Sequence, residues 1–384
     1  MRSIPQIDKI KSLRHSLHQE PELSNQEKRT AEKLINFFNE FSPDEMITGI
    51  GGNGFAAVFK SNELGPTVLF RAELDALPIE EINDLEYKSV FYGISHKCGH
   101  DGHMSVLAAL AVMISIRKLR RGKVVLLFQP AEETGQGAQL ILKDPRFHKI
   151  KPDYVFALHN LPGFRLNNVI IRKGIFASAS RGMIIKLTGK TSHAAEPEFG
   201  INPAPALAEI IKQFERVNKS DLFREFTLIT VIHVKLGERA FGTSPGSAEI
   251  FITLRSFLND DMNLLIEKCK KIIAETASEN SLKYEIEHTE IFPATENNGQ
   301  CVEIISAAAK QNDLKIILKE EPFKWSEDFG HFTSEFKGAM FGLGAGVETP
   351  QLHNPDYDFP DLLIPAGANL FYSIINILTG ADRK

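Results

Sequence analysis

Apolar residues recur at helical spacing near the start of the chain. Ile7, Ile10, Leu13 and Leu17 fall on one stripe, and Pro5 suits a first helical turn. Ser24 and Glu27 have the spacing of a capping box ahead of a second stripe at Ala31, Leu34 and Ile35. Short apolar runs then take over. Residues 56–59 and 67–70 predict strands, 104–119 a long apolar helix, and 123–128 and 155–158 buried strands. Helices alternating with buried strands predict an α/β domain with a mixed, largely parallel sheet.

The middle of the chain has a different order. The pattern predicts a strand at 183–188, a helix at 203–214, strands at 227–236 and 248–257, a helix at 262–275 and a strand at 283–288. That β-α-β-β-α-β order is ferredoxin-like. It predicts a second domain at 178–291, inserted into a domain built from 1–177 and 292–384 that closes with a helix at 365–378. Length supports the division, because 384 residues exceed the roughly 250–300 at which a single core stops growing.

Composition narrows the function. With 43% hydrophobic and 24% charged residues, the chain is not a disordered one. Its 44 Lys and Arg against 49 Asp and Glu leave a net charge of −5, which argues against nucleic acid as a partner. The longest strongly apolar stretch, 106–116, is far short of the ~20 residues of a membrane span. The first 23 residues mix Lys9, Lys11, Arg14, Glu20 and Glu22 with isolated apolar ones, unlike a secretory signal. Cys98, Cys269 and Cys301 form no short-range pairing pattern, so reduced thiols and a cytoplasmic location are expected.

The chemistry concentrates between His96 and His103, where Cys98, three histidines and Asp101 fall within eight residues. Thiolate and imidazole are ligands that transition metals favour. In an extended segment Cys98 and His100 point to the same side and reach one ion. Gly99 and Gly102 let the backbone bend close to it, and a helix starting near Met104 sets its positive end beside the thiolate. A second segment, Gln129 to Gly135, carries Glu132 and Glu133 just after a predicted strand, where open α/β sheets bind ligands. One glutamate can hold a metal while the other acts as a general base; taken alone, a solvated acidic turn fits equally well. His159, His353 and Asp75 lie at strand ends or in a loop before the last helix, and each is weak alone.

Together these segments resemble the zinc-peptidase-like amidohydrolases, the group of hippurate hydrolase, N-acyl-L-amino-acid amidohydrolase, N-acetyldiaminopimelate deacetylase and indoleacetyl-amino-acid hydrolase. The resemblance runs from His18-Gln19-Glu20-Pro21-Glu22-Leu23-Ser24 to His353-Asn354-Pro355-Asp356-Tyr357-Asp358-Phe359. It is most specific at Cys98-Gly99-His100-Asp101-Gly102-His103 and Gln129-Pro130-Ala131-Glu132-Glu133. It implies a zinc-peptidase-like catalytic domain with an inserted ferredoxin-like α+β lid. It also implies metal-dependent hydrolysis of the amide bond of an N-acyl amino acid. By the same resemblance Cys98, His100, Glu133, His159 and His353 are metal ligands and Glu132 the general base. Asp75 is a carboxylate orienting the site, His193 a lid histidine that polarises the substrate carbonyl, and Arg255 a substrate-binding residue. Two divalent ions per subunit are expected, as zinc, manganese, cobalt or nickel. If Cys98 bridges, the five ligands make three bonds to each ion. Lid domains of related enzymes pair, so the resemblance admits a homodimer through this domain.

Some residues depart from the family pattern. Glu73 stands where the family commonly has aspartate, Gly242 where it has asparagine, and Glu198 where it has histidine. The reaction class is therefore better specified than the substrate. A dipeptidase or carboxypeptidase of the same fold is the alternative, but such enzymes typically use a His-x-Asp segment instead of Cys-x-His. A metal-binding protein with a decayed site is opposed by the intact ligand positions and Glu132. His103 reads as a supporting residue rather than a ligand, and Glu327 and Asp328 are candidate supports in a segment that also matches the family.

Overall fold

The computed structural model describes residues 3–218 and 221–380. They form two compact units, one of residues 3–176, 295–322 and 328–380, the other of 177–218, 221–294 and 323–327.

In chain order the first unit begins with helices α1 (Ile7–Gln19) and α2 (Lys28–Asn39) and strands β1 (Glu45–Ile50), β2 (Gly54–Lys60) and β3 (Thr67–Glu73). Helix α3 (His100–Ile116), strand β4 (Lys123–Gln129), helix α4 (Gly137–Lys143) and strands β5 (Tyr154–Pro162), β6 (Val169–Ile171) and β7 (Gly174–Ala177) follow. The second unit holds β8 (Ala179–Thr188), β9 (Ser192–His193), α5 (Ala204–Asn218), β10 (Thr227–Leu236), β11 (Thr243–Ser244), β12 (Ser247–Ser256), α6 (Asn259–Glu279) and β13 (Lys283–Phe292). The chain then adds β14 (Thr295–Asn297), α7 (Gly299–Gln311), β15 (Ile316–Leu318), α8 (Gly330–Glu335), β16 (Lys337–Gly346) and α9 (Leu363–Thr379).

The first unit carries an eight-stranded sheet in the order β1-β2-β4-β3-β5-β16-β6-β15. Strands β4, β3, β5 and β16 run parallel at its centre, as do β6 and β15, while β1–β2, β2–β4 and β16–β6 are antiparallel. Such a sheet must be covered on both faces, which explains the near-continuous apolar runs of its strands. Helix α3 is apolar all round, and every residue from Met104 to Ile114 is buried. It packs with α9, α1 and β3. Phe55 and Phe128 stack at 4.4 Å on neighbouring strands, with the Phe38 ring of α2 edge-on to Phe128 at 5.1 Å. The central parallel strands bring Glu73, Gln129 and Pro162 to one end of the sheet, and the loops beyond them carry Asp75 and Glu132–Glu133.

The second unit has a four-stranded antiparallel sheet in the order β10-β12-β8-β13, with α5 and α6 packed on it. Its element order is β-α-β-β-α-β, and β9 and β11 add a separate ribbon pairing His193 with Thr243.

Two local readings of the sequence are corrected. Ser24 does not cap α2: the helix starts at Lys28 after Glu27, and the Ser24 hydroxyl donates instead to Asp75 Oδ2 at 2.7 Å. Helix α3 starts at His100, four residues earlier than Met104. Cys98 and His100 therefore do not share an extended segment, and Gly99 turns between them in the left-handed region at φ +90°. Among the described residues no helix is long and apolar enough to cross a membrane.

Candidate metal centre

The turn after Gly99 aims Cys98 and His100 toward one point despite the change of backbone. Cys98 Sγ lies 3.5 Å from His159 Nε2, and His100 Nε2 lies 3.8 Å from Glu133 Oε1 and 3.9 Å from Glu132 Oε2. His353 Nε2 is 3.8 Å from Glu133 Oε2. Among the described residues five sets of three donors have their ligand atoms within 4.8 Å of one another, and two of these contain Cys98: Cys98, His100 and His159, and Cys98, Glu133 and His353. Cys98 is common to both.

Backbone carbonyls fix how two of the histidines face the site. A carbonyl oxygen can only accept, so His100 Nδ1–H donates to Asp75 O at 2.9 Å and His159 Nδ1–H donates to Asn160 O at 2.9 Å. Each ring then presents Nε2 as a lone pair. Asp75 is fully buried, and its Oδ2 also accepts from the Glu133 N–H at 2.9 Å, which pins that glutamate. Burial pushes the Asp75 carboxyl up. The hydrogen bond from His100, with the Ser24 hydroxyl and the Glu133 N–H, holds it below the ordinary aspartate value.

Glu132 and Glu133 leave β4 through a tight bend. Ala131 sits at φ +51° and Gly135 at φ +66°, and a Cβ on Gly137 would lie 1.6 Å from Pro130 O. Glu27 holds this bend, accepting from the Ala131 N–H at 2.8 Å. Glu132 is buried, and its Oε1 accepts from the Asp328 N–H at 3.3 Å. The Asp328 carboxylate in turn accepts from Arg71 Nη2, Gln129 Nε2 and the Ala138 N–H.

The donor chemistry fits a divalent transition ion. Sulfur, imidazole nitrogen and carboxylate oxygen at about 2.0–2.3 Å from a tetrahedral ion lie roughly 3.3–3.8 Å apart, and the closest donor pairs here are separated by 3.5 and 3.8 Å. His103 has both ring nitrogens engaged elsewhere, Nδ1 with Glu73 Oε2 at 2.7 Å and Nε2 with Asn160 Oδ1.

The comparisons with known proteins bear on this geometry. A model of peptidase family M20/M25/M40 matches residues 69–377. The chain belongs to this family. It is a hydrolase of the M20 group. Hippurate hydrolase of Campylobacter jejuni is 30% identical over 97% of this chain and 98% of its own. N-acetyldiaminopimelate deacetylase of Exiguobacterium sibiricum is 30% identical over 93% of this chain and 96% of its own. The fold is that of Bacillus subtilis YXEP, described as a dinuclear metal-binding peptidase of the M20 family. It has a TM-score of 0.83 at 24% identity and covers 98% of this chain and 99% of that one.

In this M20 hydrolase the sequence-predicted residues fall into two groups. Cys98, His100, Glu132, Glu133, His159, His353 and Asp75 meet in the first unit. His193 and Arg255 belong to the second. The Ala195 N–H donates to His193 Nδ1 at 3.1 Å, so the neutral ring of this exposed residue carries its proton on Nε2. Arg255, on β12, donates to Lys324 O at 2.8 Å and Ser326 Oγ at 3.1 Å. Ser24, Glu27 and Lys97 were not recognised from the sequence as parts of the site. Ser24 and Glu27 satisfied a helix-cap pattern, and nothing in the sequence marked Lys97.

Proposed function

We propose that the chain hydrolyses the amide bond of N-acyl amino acids, releasing a carboxylic acid and a free amino acid, with two divalent ions per subunit. The observation that carries this reading is the pair of donor triads sharing Cys98, with the buried Glu132 carboxylate beside them. The names of the similar proteins support the substrate class. Hippurate hydrolase, N-acetyldiaminopimelate deacetylase and N-acetylcysteine deacetylase all act on an acyl group carried by an amino-acid nitrogen.

Cys98, His100 and His159 would hold one ion, and Cys98, Glu133 and His353 the other. When bound, the ions supply Lewis acidity that polarises a carbonyl and lowers the pKa of water. Zinc, manganese, cobalt and nickel all suit the donors. Glu132 takes a proton from the attacking water, holds it and returns it to the leaving nitrogen. Its Oε1 is steadied by the Asp328 N–H, and its Oε2 lies 3.9 Å from His100 Nε2. His193 supplies an Nε2–H donor for the oxygen that gains negative charge. Arg255 is the proposed substrate-binding residue. The same reading places the enzyme in the cytoplasm, in keeping with Cys98, Cys269 and Cys301 as free thiols. It also joins two copies through the second unit, where the edge strand β10 exposes Ile232, Val234 and Leu236.

The test is amine release from N-acetyl and N-benzoyl amino acids and from dipeptides, after reconstitution with zinc, manganese or cobalt. Cleavage of N-acyl amino acids is expected, and Glu132→Gln should bind metal normally while turning over roughly 10³-fold more slowly. Dipeptides cleaved with N-acyl amino acids inert, or a Glu132→Gln variant of near-normal rate, would overturn the reading.

A further inference from the structure

Lys97 is a lysine with no exposed surface, set immediately before the candidate thiolate, and nothing in the proposed chemistry uses it. Lysine is almost never fully buried unless its ammonium is paired. Here all three donor directions are taken up: Nζ donates to Glu81 Oε1 at 2.7 Å, to Asn83 Oδ1 at 2.9 Å and to the backbone carbonyl of Tyr357 at 2.7 Å. The Lys97 carbonyl accepts the His353 N–H at 2.8 Å. One residue thus grips the 353–357 segment at both ends, through its backbone at His353 and its side chain at Tyr357. The neighbouring loop adds two ties inside the same segment, Ile82 N–H to Pro355 O at 3.1 Å and Asn83 Nδ2 to Asp356 O at 2.8 Å.

His353 needs such a grip more than the other candidate ligands do. Cys98, His100 and His159 are buried among packed elements, whereas the His353 side chain is 52% exposed. Its backbone lies in the left-handed region at φ +65°, which is strained for a residue with a β-carbon and persists only when its surroundings impose it. The ties to the Cys98 loop impose it together with a turn across His353, in which the Asn354 N–H donates to Gln351 O at 3.1 Å. The geometry points to Lys97 as the positioning residue for His353: its ammonium and carbonyl together lock the most exposed candidate ligand onto the Cys98 loop. This inference rests on the reading of His353 as a metal ligand. Lysine suits the position because three donors on one flexible stem reach three acceptors in two segments, the 81–83 loop and Tyr357, in directions that a planar guanidinium fork cannot match.

The test is zinc titration of the metal-free full-length chain against a chromophoric chelator, with thermal melting of the same samples. The unsubstituted protein is expected to bind two zinc ions. Lys97→Met should weaken the second ion roughly 10- to 100-fold and leave the first, held by the buried triad, within about twofold. His353→Ala should weaken the second ion by at least as much, and adding Lys97→Met to it should cost nothing more. Asn83→Ala, a half-buried position that removes one acceptor of Lys97 and one tie to Asp356, should weaken the second ion several-fold. It decides the matter if Lys97→Met does not fold. If His353→Ala leaves both affinities unchanged, the ligand reading fails and the inference falls with it. If His353→Ala weakens the second ion while Lys97→Met and Asn83→Ala do not, the positioning role alone is overturned. Equal loss of both ions in Lys97→Met, tracking a fall in melting temperature, would also overturn it in favour of general stability.

Discussion

His100 and His159 are oriented by backbone carbonyls, those of Asp75 and Asn160, so side-chain substitutions leave their tautomers in place. Asp75 itself does more. Its carboxylate accepts from Ser24 and from the Glu133 N–H, and its negative charge lies 3.5 Å from His100 Nδ1. Asp75→Asn should retain the fold and weaken zinc binding roughly 10- to 100-fold, because the charge that raises the ligand's basicity is lost. Ser24→Ala removes one neutral hydrogen bond and should weaken it far less; zinc titration of the two variants checks the order. Ser24 also marks where residue-level reading stops. A serine three residues before a glutamate satisfies a local capping pattern, and the sequence cannot reveal that a distant aspartate will claim the hydroxyl. The Cys98–His103 run and the adjacent glutamates were legible because their residue types are unusual at such density, whatever the backbone does between them.

Helix α3 packs its first turn against the loop that follows His353, and Gly102 is the point of closest approach. A Cβ there would lie 2.3 Å from the Phe359 ring, so Gly102→Ala should cost roughly 1–3 kcal/mol in urea unfolding of the metal-free protein. Gly242 offers the contrast. Nothing lies within 4 Å of a Cβ built there, and Gly242→Ala should change stability by no more than about 0.5 kcal/mol. The sequence reading gave both Gly99 and Gly102 to backbone bending. Only Gly99 has a positive φ, and Gly102 is helical and serves packing. Elements with strong apolar runs, such as β4, β5 and α3, were legible. Strand β16 was not, because Lys337–Gly346 holds four glycines and offers little pleated apolar pattern. β6 and β15, three residues each, are too short to show a period.

Across the whole first unit, buried charges behind the candidate centre set how stability follows pH. Arg14 contacts Asp101, Asp358 and Asp361, while His18 joins Asp101 at 2.9 Å to Glu81 at 3.0 Å. Burial alone would lower His18, but its bonds to Asp101 and Glu81 raise it to about 9. Burial alone would raise Glu81, but His18 and Lys97 bring it down to about 2. Burial lowers His96 to about 3. The His18 contribution is present below its ordinary value of 6.5 and is lost as pH rises through about 9. Those of Glu81 and His96 are present above 4.5 and 6.5 and are lost as pH falls toward 2 and 3. The melting temperature of the metal-free chain should therefore decline on both sides of a maximum near neutrality, and His18→Gln should flatten the alkaline side. An alkaline decline unchanged in that variant would assign it to other groups. The order of the large sheet carries a different consequence, one about time. Strand β5 ends at Pro162, yet its neighbour β16 starts only at Lys337. At synthesis rates of roughly 5–20 residues per second, the emerging chain holds a buried apolar strand with one unpaired edge for on the order of 10–30 s. The growing polypeptide must be shielded through that interval, so the need for protection during translation is built into where β16 enters the sheet.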